Sequence, residues 1–251
     1  MSDVLPLDGG RVDLWLLRQP RTGTPQAEFD RSVLDEAERH RAGTCKRSTG
    51  GHLYALAHIA LRRLLGEYLD TPAAELEFMR EPCPGCGEPH GRPAVADPPR
   101  PVHFSLSHSS GMVLVGVAAT PIGVDVEVRP GAETVEVCSA ALHTDERTEL
   151  RAEPDHVRQE AFGRLWTRKE AYLKGIGTGL SRDLSADYLG ADRAAHPEGW
   201  TLLDIPCGPR HSAAAAVRGP APAPAVRWLS LDWLRDCEKR DALVGASSEG
   251  A

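Results

Sequence analysis

Two carboxylates lie close together in the segment Ile122–Val128, which reads IGVDVEV. Apolar residues occupy every second position, so the segment is predicted to be a β-strand with Asp125 and Glu127 on one face. Side chains two residues apart on a strand are separated by roughly 6.5–7 Å, and this face carries no Lys or Arg before Arg129. Such a pair suits a hard divalent cation, although a solvated strand face is an equally good interpretation of this segment alone.

A second group of ionisable residues lies in residues 160–175, where apolar residues recur at helical spacing. Trp166, Glu170 and Lys174 follow one another at intervals of four residues, so an acid and a base project from one row of the predicted helix. Gly175 is expected to end that helix. The simpler interpretation is a surface ion pair, which would stabilise the helix by only a few tenths of a kcal/mol.

Three motifs, in this order, resemble the signature of the Sfp-type 4′-phosphopantetheinyl transferases. They are FSLSHSSG at 104–111, GVDVE at 123–127 and WTRKEAYLK at 166–174. The resemblance extends over about residues 39–179 and implies an α/β (α+β) fold of two similar lobes in a pseudo-twofold arrangement, with coenzyme A in the cleft between them. The expected division is an N-terminal lobe over 1–121, a C-terminal lobe with the metal site over 122–243 and a disordered tail over 244–251.

The resemblance implies a transferase that moves the phosphopantetheine arm of coenzyme A to a serine of an apo acyl or peptidyl carrier protein, releasing adenosine 3′,5′-bisphosphate. Family members of this length commonly serve polyketide or nonribosomal peptide synthesis. Charge builds on the pyrophosphate during transfer, and Mg²⁺ would neutralise it. The expected metal ligands are Asp125, Glu127 and Glu170, and the expected catalytic residues are Glu170 and Lys174. Either Glu170 or a metal-bound water could be the general base.

Basic side chains are predicted to bind the anionic coenzyme. Four cations between positions 39 and 47 have no acidic residue among them, which is typical of either a phosphate site or an exposed helix end. In the family that this chain resembles, this region contacts the 3′-phosphate of coenzyme A, and a Gly-(Lys/Arg)-Pro step like that at 91–93 faces the coenzyme. The expected coenzyme ligands are Arg39, Arg41, Arg47, Arg92, Ser107, His108 and Lys174.

Ser107 and His108 are predicted to lie at the corner of a turn between strands at 102–106 and 112–118. Hydroxyl, imidazole and amide groups there could donate to a phosphate, with a local turn hydrogen bond as the alternative. No GxSxG elbow surrounds the serine, which argues against nucleophilic catalysis. The second of these strands and Ile122–Val128 are predicted to form an antiparallel hairpin.

The segment CPGCGEPH at 83–90 matches a zinc-knuckle pattern. Cys83, Cys86 and His90 could supply three ligands, whereas a structural zinc normally takes four and no second CxxC or HxxxH is present. A metal-free loop rich in Pro and Gly is therefore the favoured interpretation, with zinc binding left open.

Composition excludes several classes of protein. The chain has 251 residues, of which 41% are hydrophobic, enough for a sizeable core. Its net charge of −7 argues against a nucleic-acid partner. No run of eighteen apolar residues and no signal peptide is found, so no membrane association and a cytoplasmic location are expected. The six Cys are interpreted as reduced thiols, and a monomer is expected.

Two other functional classes remain open at this point. A different Mg²⁺-dependent phosphotransferase or phosphoesterase could use the same carboxylates, but no GxxxxGK[ST] loop for a nucleoside triphosphate is present. A non-enzymatic binding module organised by the zinc-knuckle segment would bind zinc and would not depend on Asp125.

Overall fold

The computed structural model describes residues 10–20, 29–44, 48–221 and 224–235, together with Leu5 and Leu7. These residues form helices and strands in mixed order, which confirms the predicted mixed α and β class. The strands are β1 (Val12–Arg18), β2 (Phe78–Arg80), β3 (Pro93–Val95), β4 (His103–Ser109), β5 (Met112–Ala118), β6 (Ile122–Val128), β7 (Trp200–Asp204), β8 (His211–Arg218) and β9 (Ala225–Trp228). The helices are α1 (Glu36–Thr44), α2 (Ser48–Leu69), α3 (Ala132–Cys138), α4 (Thr144–Ala152), α5 (Asp155–Ile176) and α6 (Leu231–Arg235).

The larger sheet has the strand order β4-β5-β1-β9 and is covered on one face by α2. All residues of β1 from Val12 to Leu17 are buried. Trp15 and Leu17 pack towards α2, while Leu14 and Leu16 pack towards β6 and β8. Because side chains alternate along a strand, β1 is buried on both faces and lies in the middle of the molecule.

The second sheet has the strand order β6-β8-β7, and α5 covers its outer face. Val124 and Val126 of β6 point towards the larger sheet, so Asp125 and Glu127 point towards α5. The division of faces predicted for this strand is therefore confirmed. Helix α5 approaches β6 very closely, since a Cβ at Gly123 would lie 2.0 Å from the carbonyl oxygen of Ala171.

The hairpin predicted between residues 112–118 and 122–128 is wrong. Strand β5 pairs with β4 on one side and with β1 on the other, so neither edge is left for β6. Strand β6 pairs with β8 instead and packs face to face on β5, where Gly116 leaves room for Ile122 and Val124. Both strands are apolar on a buried face, and the sequence pattern does not distinguish pairing at an edge from packing between sheets.

The turn that follows β4 lies later than predicted. It consists of Ser110 and Gly111, with φ values of 47° and 85°, as a two-residue hairpin of type I′ requires. Ser107 and His108 lie within β4 and not at a corner, which corrects the predicted position. Their side chains point to opposite faces of the strand.

The helix ends also differ from prediction. Helix α5 begins after Pro154 and ends at Ile176, and Gly177 takes the left-handed conformation with φ 84°. The helix therefore continues through Gly175, which was expected to end it. No helix among the described residues is long and apolar enough to cross a membrane.

The division into lobes at residues 121 and 122 stays a prediction. It falls between β5 and β6, the point where the chain leaves the larger sheet for the smaller one. Strand β9 returns to pair in parallel with β1, and Trp233 of α6 packs with α2. The last part of the chain thus contributes to the core around the first sheet, while residues 244–251 lie outside the described residues.

Candidate functional site

A cleft with a volume of about 1010 Å³ opens where β4, β6, α2 and α5 converge. Four predicted site residues with carboxylate or ammonium groups line it: Asp125, Glu127, Glu170 and Lys174. Lys174 was also predicted as a coenzyme ligand, and four further predicted coenzyme ligands line the cleft: Arg41, Arg92, Ser107 and His108. Residues from separate motifs of the sequence therefore meet in one cavity.

Asp125 lies at the base of the cleft and is only 2% exposed. Its Oδ1 accepts hydrogen bonds from Lys174 Nζ at 2.7 Å and from Ser107 Oγ at 2.8 Å. Its Oδ2 is buried and has no hydrogen-bond partner. A buried, unpartnered carboxylate oxygen is costly, and a bound cation would satisfy it.

Lys174 connects the helix to both sheets. Besides Asp125, its Nζ donates to Ser107 Oγ and to the Val124 carbonyl oxygen, each at 3.2 Å. These contacts fix the ammonium group next to the carboxylates, although its side chain is 33% exposed to the cleft. The alternative interpretation of Glu170 and Lys174 as a surface ion pair does not hold, since Lys174 pairs with the buried Asp125.

The two glutamates experience an unfavourable electrostatic environment. Burial and the nearby charge of Asp125 raise the pKa of Glu170, against the effect of Lys174. Burial likewise raises the pKa of Glu127, against a hydrogen bond of 2.6 Å from Ser109 Oγ. One ammonium group does not compensate three carboxylates, so this arrangement favours binding of a cation.

The three carboxylates are spread more widely than the ligands of a compact metal site made only of protein. Among the residues that the structure describes, three ligand atoms lie within 4.8 Å of one another at Cys83, Cys86 and His90, and not at the carboxylates. Mg²⁺ keeps several water ligands and needs only a few carboxylates. The carboxylate set therefore fits Mg²⁺ bound through waters as well as through protein oxygens.

One end of the cleft is lined by aromatic and basic groups. Burial, together with the nearby basic groups of His58, Lys174 and Arg41, lowers the pKa of His108 and so favours its neutral imidazole. The guanidinium of Arg41 lies 5.6 Å from the Tyr54 ring, which meets His108 edge-on at 6.1 Å. This end of the cleft can therefore offer donors and a cation to an anionic ligand.

Tyr54 and His58 of α2 were not predicted as site residues. Their rings stack at 4.1 Å, and both line the cleft. His58 Nδ1 also lies 2.8 Å from Glu38 Oε1. Their spacing of four residues on an amphipathic helix, at the edge of its apolar stripe, is the signal in the sequence that could have identified them.

Arg92 has its own partners in the protein. Its Nε and Nη2 donate to Glu81 Oε2 at 2.8 and 2.6 Å, and its Nη1 donates to the Gly175 carbonyl oxygen at 2.8 Å. The guanidinium thereby joins the segment before β3 to the end of α5. It lines the cleft, but most of its donors already have acceptors.

Arg39, which was also predicted to bind the coenzyme, is absent from the lining of the cleft and donates to the carbonyl oxygen of Leu34. It lies in the first turn of α1, which begins at Glu36, so its side chain reaches back to the preceding turn. Arg47 lies outside the described residues.

Comparison with known proteins identifies a consistent set of relatives. The sequence model of the 4′-phosphopantetheinyl transferase superfamily matches residues 121–208. The chain is 30% identical over 167 residues to the 4′-phosphopantetheinyl transferase HetI of Nostoc sp., covering 63% of this chain and 68% of that protein. It is 22% identical over 175 residues to the 4′-phosphopantetheinyl transferase Sfp of Bacillus subtilis, covering 70% of this chain and 72% of that protein.

Proposed function

This chain belongs to the 4′-phosphopantetheinyl transferase superfamily and is an enzyme of that class, and from this premise we propose that it transfers the phosphopantetheine arm of coenzyme A to a serine of an apo carrier protein. Adenosine 3′,5′-bisphosphate is the second product. The observation that carries the proposal is the convergence of Asp125, Glu127, Glu170 and Lys174 in one cleft with donors for phosphate.

The three carboxylates would hold Mg²⁺. When bound, the ion would neutralise the negative charge that builds on the pyrophosphate as the bond to the leaving group breaks. The unpartnered Oδ2 of Asp125 and the raised pKa values of Glu127 and Glu170 support this assignment. Each of these three features is unfavourable without a cation and is relieved by one.

The cleft's own donors would orient the coenzyme. Lys174 contributes a fixed positive charge towards the pyrophosphate oxygens, and its bonds to three oxygen acceptors restrict the position of Nζ. His108 is neutral, so it donates one N–H to a phosphate oxygen without adding charge. Arg41, at the end of the cleft near Tyr54, supplies a cation for the 3′-phosphate.

Glu170 is assigned as the group that accepts the proton of the attacking serine. Its place on α5 is one turn before Lys174, so base and cation face the reacting phosphate from one helix. The serine oxygen bonds to the β-phosphorus, the bond to the bridging oxygen breaks, and the serine proton goes to Glu170.

The proposal extends to the partner proteins and to the setting of the reaction. We assign apo acyl or peptidyl carrier proteins of polyketide or nonribosomal peptide synthesis as the acceptors, in the cytoplasm, with the enzyme acting as a monomer of two lobes. The support is the resemblance to two-lobed family members, together with a cleft whose walls come from both sheets of one chain.

Product analysis tests the proposal against an unassisted phosphoesterase. The protein is incubated with coenzyme A and Mg²⁺, with and without an apo carrier protein, and adenosine 3′,5′-bisphosphate is quantified by chromatography. We expect release only with the carrier, and none with a carrier whose acceptor serine is replaced by alanine. Equal release without any carrier would contradict transfer and favour hydrolysis of a phosphate ester.

A further inference from the structure

The segment between β2 and β3 folds into a compact knuckle around one cysteine. Cys83 donates its N–H to the Glu88 carbonyl oxygen at 2.8 Å and accepts at its own carbonyl from the Gly87 N–H, also at 2.8 Å. Gly87 has φ 78°, which a residue with a side chain seldom adopts. The backbone thus reverses tightly within five residues and brings the cysteines of CPGCG to the same side.

Backbone amides within this knuckle point at the sulfur of Cys83. The N–H groups of Gly85 and Cys86 both donate hydrogen bonds to it. Sulfur ligands of a metal ion commonly accept such hydrogen bonds from outside the ligand set.

The side chains of the knuckle have the composition and spacing of a zinc site. Ligand atoms of Cys83, Cys86 and His90 lie within 4.8 Å of one another, and Cys86 Sγ is 2.9 Å from His90 Nε2. In a tetrahedral zinc site the sulfur and nitrogen ligands are roughly 3.6 Å apart, given bond lengths near 2.3 and 2.0 Å. Cys86 and His90 are exposed, so their side chains can separate by this small amount when an ion enters.

We propose that Cys83, Cys86 and His90 bind one zinc ion, with a water molecule as the fourth ligand. Two thiolates and an imidazole select zinc over Mg²⁺, which prefers oxygen ligands. Among the described residues no fourth Cys, His, Asp or Glu side chain joins the group, so one position is left to water. His90 also lines the cleft, but this site shares no ligand with the three carboxylates and does not depend on the proposed transfer.

The zinc ion would fix the end of the β2–β3 ribbon, from which Arg92 reaches the cleft. Strands β2 and β3 pair from Phe78↔Val95 to Arg80↔Pro93, and the knuckle closes the ribbon beyond that pairing. The Gly91 N–H continues the ribbon by donating to the Glu81 carbonyl oxygen at 2.9 Å. A zinc ion that joins His90 to the two cysteines would therefore fix the chain next to each partner of the Glu81–Arg92 ion pair.

Metal analysis of the full-length protein, purified without chelators and equilibrated with zinc, tests this site. We expect about one zinc per chain for the wild type, as a single structural site holds. Cys86→Ser and His90→Gln should each lose most of that zinc. Cys138→Ser, at a half-buried cysteine outside the knuckle, should keep it, as should Asp125→Asn in the carboxylate site.

Replacement of zinc by Co²⁺ provides a readout in the wild-type protein itself, whatever the folding of the variants. Two thiolate ligands should give the intense thiolate-to-metal absorption and visible bands of tetrahedral Co²⁺, and added zinc should abolish them. Absence of these bands would overturn the proposal. So would equal zinc content in Cys86→Ser, or a Cys83–Cys86 disulfide in the freshly purified protein, detected as a mass lower by two hydrogens.

Discussion

The carboxylate cluster and the knuckle differ in the secondary-structure elements that carry them and in whether their surroundings stabilise the charged form of the ligands. The carboxylates stand on β6 and α5, which pack tightly through Gly123. The knuckle stands on a connection between two short strands. Burial and neighbouring acids raise the pKa values of Glu127 and Glu170, whereas backbone N–H groups lower the pKa of Cys83.

This difference shows two ways in which a fold can prepare a cation site. Donors around Cys83 stabilise the ligand in its charged form before any ion arrives, which suits an ion that stays in place. The carboxylates repel one another, and one oxygen of Asp125 has no partner. They are therefore stabilised most when a cation enters the site together with an anionic substrate. The first arrangement favours a structural ion and the second a catalytic one.

Replacing Asp125 should have the largest effect. Asp125→Asn removes the charge that Lys174 and the cation share, so we expect the transfer rate to fall about 10³-fold or more. Asp155→Asn is the matched control, because that carboxylate is exposed and is paired with Arg158. Steady-state transfer assays over a range of Mg²⁺ concentrations measure both. Full activity of Asp125→Asn would remove the carboxylate site from the mechanism.

Replacing Lys174 should have the next largest effect. Lys174→Met keeps most of the apolar stem but loses the bonds to Asp125, Ser107 and the Val124 carbonyl, and we expect kcat to fall about 10²-fold. Arg164→Met, at an exposed position on the same helix, is the control. A higher KM for coenzyme A with kcat unchanged would contradict this role, because it would show that Lys174 binds the ground state and the transition state equally.

Variants of Arg92 and Glu81 together distinguish a coenzyme-binding role of Arg92 from a purely structural one. Arg92→Ala should weaken coenzyme A binding about tenfold, the effect of losing one charge-assisted contact. Glu81→Gln leaves the guanidinium in place but frees it from its carboxylate partner. If Arg92 contacts the coenzyme, this variant should bind coenzyme A more tightly than the wild type.

Calorimetric titration with coenzyme A measures the three affinities. Arg129→Ala serves as the control, since that arginine is paired with Glu160 at the surface and is not part of the cleft lining. Weaker binding by Glu81→Gln would mean that the Glu81–Arg92 pair only holds the β2–β3 ribbon against α5.

The pH dependence of transfer should reflect the ionisation of Glu127 and Glu170. Cation binding requires them ionised, and their pKa values lie above the ordinary 4.5, so activity should fall on the acid side at a higher pH than for unperturbed glutamates. Higher Mg²⁺ concentration should move this acid limb to lower pH, because the cation favours the ionised forms. Profiles of kcat/KM at two Mg²⁺ concentrations test this, and a limb independent of Mg²⁺ would assign it to other groups.

The smallest effect concerns stability without metal. Because folding raises the pKa of Glu170, the folded protein binds more protons than the unfolded chain, and its stability falls as pH rises through the raised pKa. Glu170→Gln removes this charge, so it should raise Tm at neutral pH in the presence of EDTA. Water screens the partly exposed group, and we expect a gain of about 2 °C. A lower Tm in calorimetry would contradict the repulsion inferred here.

The sequence predicted which side chains share a face of a strand, but not which other strand or segment that strand contacts. Alternation in Ile122–Val128 correctly placed Asp125 and Glu127 together, because that periodicity depends only on local strand geometry. The pairing of β6 with β8 was missed, because β8 lies about 90 residues away and an apolar face does not specify which sheet it joins. The same limit applies to the contact between Arg92 and the end of α5, which joins two distant segments.

Site residues could be predicted where ionisable side chains follow one another at regular spacing within a single helix or strand. Glu170 and Lys174 were identified from one helical row, and both line the cleft. Arg39 was placed there from the density of basic residues and from the resemblance to the family. The structure directs its guanidinium to Leu34 instead, because its orientation depends on where α1 begins.

The intact mass of an apo carrier protein, measured after incubation with this protein, coenzyme A and Mg²⁺, tests the central claim most directly. Transfer of the phosphopantetheine arm to a serine hydroxyl should add about 340 Da to the carrier, and EDTA should prevent the gain. No gain with acyl and peptidyl carrier proteins alike, from a preparation that binds coenzyme A, would contradict the proposed reaction.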